Sequence, residues 1–230
     1  MSYRKGVQYF FFIIAIFLSS RALGQVEDFG LWTTISLEKN FTKRFSVGLD
    51  QEVRLKENVT QLDQTFTNLG VNYKLFKFLK LSGTYRFTQK YMLDESISFR
   101  HRFFFDITLR HKFNPIIVIF RSRIQTQVRA NESGPGSLFE DMNRNKLQLK
   151  LDLDKRYQPY VAAEMYYQLR DPKNAENRYN FNNMRYQAGV DYEINRVHKI
   201  GAYFLHQREM NVAREPFYDY VIGLEYLISF

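Results

Sequence analysis

The sequence predicts an all-β fold, specifically an antiparallel up-and-down transmembrane β-barrel of 10–12 strands. Three observations predict it. Apolar and polar residues alternate with a period of two along most of the chain. Aromatic residues make up 17% of the 230 residues although the mean hydropathy is only −0.41. The links between alternating segments are short and long by turns. A chain this polar and this rich in rings needs a fold in which neighbouring residues face different solvents. With 22 Phe and 16 Tyr it has too much apolar surface to stay disordered. The absence of cysteine excludes a disulfide framework, a thiolate metal site and a cysteine nucleophile.

Residues 1–24 have the layout of a cleaved signal peptide. Arg4 and Lys5 precede an apolar run, Val7–Leu18, interrupted only by Gln8, and Ala22-Leu23-Gly24 offers small residues for a cut before Gln25. A membrane anchor would need roughly 20 apolar residues, and this run is shorter. Cleavage would remove Arg4, Lys5 and Arg21 and no acid, taking the 33 basic residues to 30 against 24 acidic ones, a net +6. Residues 25–230 are then expected to form a single barrel domain exported to the bacterial outer membrane.

Eleven segments alternate, at about 29–39, 45–56, 64–75, 79–90, 98–112, 116–129, 143–154, 159–169, 183–194, 199–209 and 217–230. In the second, Phe45, Val47, Leu49, Val53 and Leu55 share one parity, with Ser46, Gly48, Asp50, Glu52, Arg54 and Lys56 on the other. The fourth sets Leu79, Leu81, Tyr85 and Phe87 against Lys80, Ser82, Thr84, Arg86 and Thr88. The seventh sets Leu147, Leu149, Leu151 and Leu153 against Lys146, Gln148, Lys150 and Asp152. Such alternation makes a strand with one apolar and one polar face; a helix would scatter the same residues around its axis.

Short links at 40–44, 76–78, 113–115, 155–158 and 195–198 interleave with longer polar ones near 57–63, 91–97, 130–142, 170–182 and 210–216. Short turns at one end and loops at the other are the pattern of an outer-membrane barrel. Segments of this length also suit a tilted crossing of the hydrocarbon layer, which takes about 9–11 residues. Aromatics gather beside the short links (Phe41, Phe45, Tyr73, Phe76, Phe78, Phe113, Tyr157, Tyr160, Tyr192) and beside the loops (Tyr91, Phe99, Tyr167, Tyr218), as two interfacial girdles. The last segment alternates through Tyr226 and Ile228 to Phe230, and resembles the membrane-insertion signal of bacterial outer-membrane barrels.

Four short motifs occur in order: Phe29-Gly30-Leu31-Trp32, Glu52-Val53-Arg54, Tyr85-Arg86-Phe87 and Arg100-His101-Arg102-Phe103. With them the chain resembles, over about residues 26–230, the uncharacterised Gram-negative outer-membrane barrels grouped as a domain of unknown function. The resemblance implies an outer-membrane location and no established activity, so it transfers no functional residue. An odd count of strands conflicts with the even number usual in bacterial barrels. Either residues 30–39 do not form a full wall strand, or one strand is hidden, or the first and last strands pair in parallel.

With the polar parity inward, the fourth to sixth segments direct Arg86, Arg100, Arg102, Arg110, Arg121 and Arg123 into the lumen against only Asp106. The eighth to eleventh direct Glu164, Asp191, Glu193, Asp219 and Glu225 inward against Arg185 and Lys199. Two readings follow: Arg–carboxylate bridges that cross and seal a narrow lumen, or a slim passive pore for small polar or anionic solutes with a transverse field. Eight strands leave little more than room for side chains, and ten to twelve leave somewhat more.

Other classes have less support. An outer-membrane hydrolase would need a catalytic His, yet His101 and His111 sit at opposite ends of one segment, His198 lies in a turn, and His206 lies near a loop. Ser96 and Ser98 near His101 are the remaining trace of such a site. A secreted soluble barrel with an apolar ligand inside fits the alternation but not the girdles. No metal-ligand spacing occurs, no cofactor is expected, and nucleic acid is excluded because basic residues alternate along strands instead of forming one exposed patch. The expected surroundings are the bilayer with its lipopolysaccharide leaflet, the barrel-assembly machinery during insertion, and a monomeric state.

Overall fold

The alternation becomes wall strands β1 (Glu27–Asn40), β2 (Phe45–Lys56), β3 (Gln61–Lys74), β4 (Leu79–Tyr91), β5 (Ile97–Phe113), β6 (Ile116–Ala130), β7 (Ser137–Leu151), β8 (Tyr157–Arg170), β9 (Asn180–Glu193), β10 (His198–Glu209) and β11 (Tyr218–Ser229). The computed structural model describes residues 27–92, 94–130, 137–153, 156–170, 180–211 and 218–230, so the leader-like segment 1–24 lies outside it. Each strand pairs antiparallel with its sequence neighbour, and β1 closes the barrel on β11. That last seam is parallel, in register from Glu27 with Tyr218 to Glu38 with Ser229. Parallel closure resolves the odd count: all eleven strands, β1 included, belong to the wall.

Inside and outside follow the parity. Leu149 (42% exposed), Val190 (39%) and Ile222 (41%) face outward, together with Phe103, Phe105, Ile124 and Leu224, whereas Arg86, Arg123 and Glu225 line the interior cavity. A soluble barrel with a dry centre has the reverse arrangement. Phe41, Phe76, Phe78 and Phe113 are exposed at the short-turn end, where Phe76 and Phe78 stack at 5.5 Å. At the loop end Phe99 is exposed and Tyr167 meets Phe181 edge-on at 5.0 Å. Tyr160 departs from the girdle expected of it: it turns inward, 8% exposed, and its hydroxyl accepts a bond from Gln187 Nε2 at 2.9 Å.

Some strands run past their alternating cores. β7 begins at Ser137 instead of 143, because its ladder with β6 continues from Lys146 opposite Arg121 up to Ser137 opposite Ala130. Backbone pairing does not require an apolar face, so hydropathy alone ends such strands too early. β3 begins at Gln61, which shortens the link expected over 57–63 to residues 57–60. There Glu57, Asn58 and Val59 all take positive φ, and the Asp28 carboxylate accepts bonds from the Glu57 and Asn58 amides at 3.0 and 3.1 Å. The loop end is therefore not uniformly long.

At the seam, Asn40 N donates to Phe230 O at 2.7 Å and Phe230 N to Glu38 O at 2.9 Å. Lys39 Nζ lies 4.6 Å from the Phe230 ring centroid. A row of directly paired inward positions, Tyr160, Gly189, Tyr203, Gly223 and Trp32, runs across β8, β9, β10, β11 and β1. Gly223 is required there: a Cβ on it would fall 1.9 Å from Tyr203 Cζ. Alternating rings and glycines let the rings lie against the wall and leave the centre of the barrel open.

Candidate functional site

The inward side chains enclose a cavity of about 1040 Å³. Its lining runs from Ser36, Lys150, Lys199 and Leu227 near the short turns to Gln64, Lys90, Arg100 and Glu209 near the loops. Among the described residues, thirteen Lys or Arg and seven Asp or Glu line it, an excess of six positive charges. Ten of those cations, from Lys80 to Lys150, come from β4–β7, where Asp106 is the one lining carboxylate.

Most of the expected interior residues are on this surface: Arg86, Arg100, Arg102, Asp106, Arg121, Arg123, Glu164, Asp191 and Glu225. Arg110 and Glu193 are not. Both have the inward parity but are exposed, because they sit at the ends of β5 and β9 where the wall meets the turns. Asp219, at the loop end of β11, is half-buried but outside the cavity lining.

Bridges sealing the lumen from side to side do not form among the described residues. Ion pairs join neighbours along the wall instead. Arg123 clasps Asp106 on the adjacent strand with two bonds of 2.7 Å. Arg144 grips Glu164, also adjacent, and Arg121 reaches the same carboxylate over one intervening strand. Asp191 takes Lys150 and, at 3.0 Å, Lys199. Arg54 pairs with Glu52 on its own strand at 2.6 Å. The physical reason is reach: a side chain meets its wall neighbour sooner than the far side of an eleven-strand barrel.

At mid-height, guanidinium groups and rings are interleaved around the wall. Arg54 lies 3.5 Å from the Trp32 ring centroid and 4.7 Å from that of Phe66. Arg86 lies 3.7 Å from Phe66, and Arg123 lies 3.8 Å from Phe104. Arg144 and Arg185 sit 4.3 and 4.8 Å from Tyr166, and Arg185 returns to Trp32 at 5.2 Å. Each such contact stabilises by about 0.5–2 kcal/mol and holds the guanidinium plane in place. The sequence reading did not single out Trp32, Arg54, Phe66, Arg144 or Tyr166 as interior site residues. Arg144 lay before the seventh segment's clear leucine alternation, and Phe66 and Tyr166 are rings on the polar parity.

The histidines lie elsewhere, among outward rings. His101 Nδ1 is 2.7 Å from the Tyr85 hydroxyl, and His198 Nδ1 is 2.8 Å from that of Tyr226. His206 stacks on Tyr220 at 4.9 Å, and His111 meets Phe113 at 4.3 Å. Ser98 belongs to the opposite face of β5 from His101, and the Ser96 hydroxyl donates to Asp94 at 2.6 Å. Neither serine pairs with that imidazole.

The fold and this interior define a closed, two-faced barrel, apolar outside and cationic inside. Residues 29–218 match the family of proteins of unknown function DUF2490, and the chain belongs to that family. Six of the motif residues seen in the sequence, Trp32, Glu52, Arg54, Arg86, Arg100 and Arg102, line the cavity. No curated protein matches the chain. Among solved structures it is similar to the β domain of the Bordetella autotransporter BrkA, with 12% identity over 81% of this chain and 83% of that one, at a TM-score of 0.49.

Proposed function

We propose that this chain is an integral outer-membrane barrel, inserted as a monomer, whose interior is a narrow passive passage for small polar solutes. The exposed apolar face carries the reading. Phe103, Ile124, Leu147, Val161, Phe204 and Leu224 are each about half exposed on successive parts of the wall, far more contiguous apolar surface than a water-facing exterior tolerates. Lipid satisfies that face, and a closed barrel leaves no backbone edge unpaired within it. The short turns then lie in the periplasm and the loops outside, toward the lipopolysaccharide leaflet. The Tyr226–Ile228–Phe230 ending is a fitting substrate for the barrel-assembly machinery.

The open centre favours a passage over a sealed structural barrel, since the ion pairs run along the wall. Fractionation tests the location: the protein should need detergent for extraction and show heat-modifiable migration, and release by osmotic shock would refute insertion. Planar-bilayer recordings test the passage. Discrete small conductance steps are expected, and their absence would leave a structural barrel.

A further inference from the structure

The interior guanidinium groups are unevenly compensated. Arg54, Arg123 and Arg144 each hold a carboxylate. Among the described residues, Arg86, Arg102 and Arg185 do not: their side-chain hydrogen bonds go to the neutral amide oxygens of Asn68, Gln127 and Gln207. Arg102 Nε is buried with no hydrogen-bond partner. These three groups come from different parts of the wall but occupy one region. Arg86 and Arg102 are direct cross-strand partners, Arg86 shares the Phe66 ring with Arg54, and Arg54 shares the Trp32 ring with Arg185.

We propose that this cluster is a binding site for a phosphate-class oxyanion, either inorganic phosphate or the phosphate group of a small ester. Like charges gathered in a confined space repel unless an anion or solvent intervenes. Glu52, Asp106 and Glu164 are held by Arg54, Arg123 and Arg144, and Glu140 accepts from the Gln127 amide, so a bound oxyanion would supply the contact counter-charge that these three guanidinium groups lack. Stacking supplies the geometry. A guanidinium lying on a ring, as Arg86 lies on Phe66, keeps its N–H bonds in its own plane, and those edges form the fork that binds phosphate oxygens. Forks arriving from β4, β5 and β9 suit a tetrahedral anion whose oxygens radiate in several directions better than a planar carboxylate. The inference rests on the proposed lumen but does not require conduction.

Trp32 makes the site directly readable. It is the single tryptophan of the chain, with the Arg54 guanidinium 3.5 Å and that of Arg185 5.2 Å from its ring. The purified barrel in detergent micelles is titrated with inorganic phosphate, glycerol phosphate, citrate and chloride at constant ionic strength. Trp32 emission and calorimetric heat are followed together. Saturable binding of either phosphate species is expected, with inorganic phosphate alone pointing to the free ion and glycerol phosphate to an ester. Arg86→Gln and Arg102→Gln keep an amide in place of each guanidinium and should each weaken binding at least tenfold while heat-modifiable migration persists.

Three results would overturn the assignment: no saturable heat in the unaltered protein, citrate binding as tightly as phosphate, or folded variants that bind unchanged. A barrel that binds phosphate but conducts nothing supports the site and refutes the passage. One that conducts but binds none refutes the site and leaves the passage standing.

Discussion

Arg144 holds Glu164 through two donors, Nε to Oε1 at 3.1 Å and Nη2 to Oε2 at 2.9 Å, with its guanidinium 4.3 Å from the Tyr166 ring centroid. Both residues are buried, at 8% and 6% exposure. Breaking a buried pair by removing one member costs about 3–5 kcal/mol, because the remaining charge stays desolvated. Arg121 also bonds Glu164, so Arg144→Met is expected at the lower end of that range. Replacing both partners, as Arg144→Met with Glu164→Leu, should restore only part of the loss, because Arg121 then loses its carboxylate. Urea unfolding of the two single variants and the double variant in micelles measures the coupling, and purely additive losses would show that the pair is not coupled.

Gly223 is expected to tolerate no side chain while Tyr203 keeps its place. An added Cβ would sit within 2.3 Å of three atoms of that ring, so Gly223→Ala should destabilise by about 1–3 kcal/mol through overpacking. Tyr203→Ser in the same protein should recover most of this. Thermal loss of heat-modifiable migration reads both, and an unaffected single variant would mean that the ring moves aside freely.

Leu224, 46% exposed on β11, tests which solvent meets the outer face. Leu224→Arg should cost about 2–4 kcal/mol for folding into lipid vesicles if it faces the bilayer midplane, and much less in water-accessible micelles. Equal yields in vesicles and micelles would argue against lipid contact.

Phe230 completes the parallel seam. Deleting it removes the bonds from Asn40 N and to Glu38 O, each contributing about 1 kcal/mol net, in a ladder type slightly weaker per residue than an antiparallel one. The truncated chain should therefore close more slowly and lose about 2 kcal/mol, read as the folded fraction during dilution from urea into micelles. Unchanged kinetics would place the closing step elsewhere.

What the sequence decided is local. Alternation such as Leu79, Leu81, Tyr85 and Phe87 against Lys80, Arg86 and Thr88 fixes both the strand and its two faces, because successive side chains leave a pleated backbone on opposite sides. Arg86, Arg123, Glu164 and Asp191 could thus be placed inside from parity alone. The parallel closure of β1 on β11 was one of three alternatives left by the odd strand count, because alternation carries no strand direction, and the structure selects it. Nor could parity tell that Arg110 and Glu193 fall beyond the cavity, or that Tyr160 turns in. Tertiary structure also chose the partners: Arg123 with Asp106, Arg144 with Glu164, Arg54 upon Trp32. Those choices depend on register and strand stagger, which bring residues far apart in the chain to one height, and each charged side chain then settles on a near neighbour in the wall.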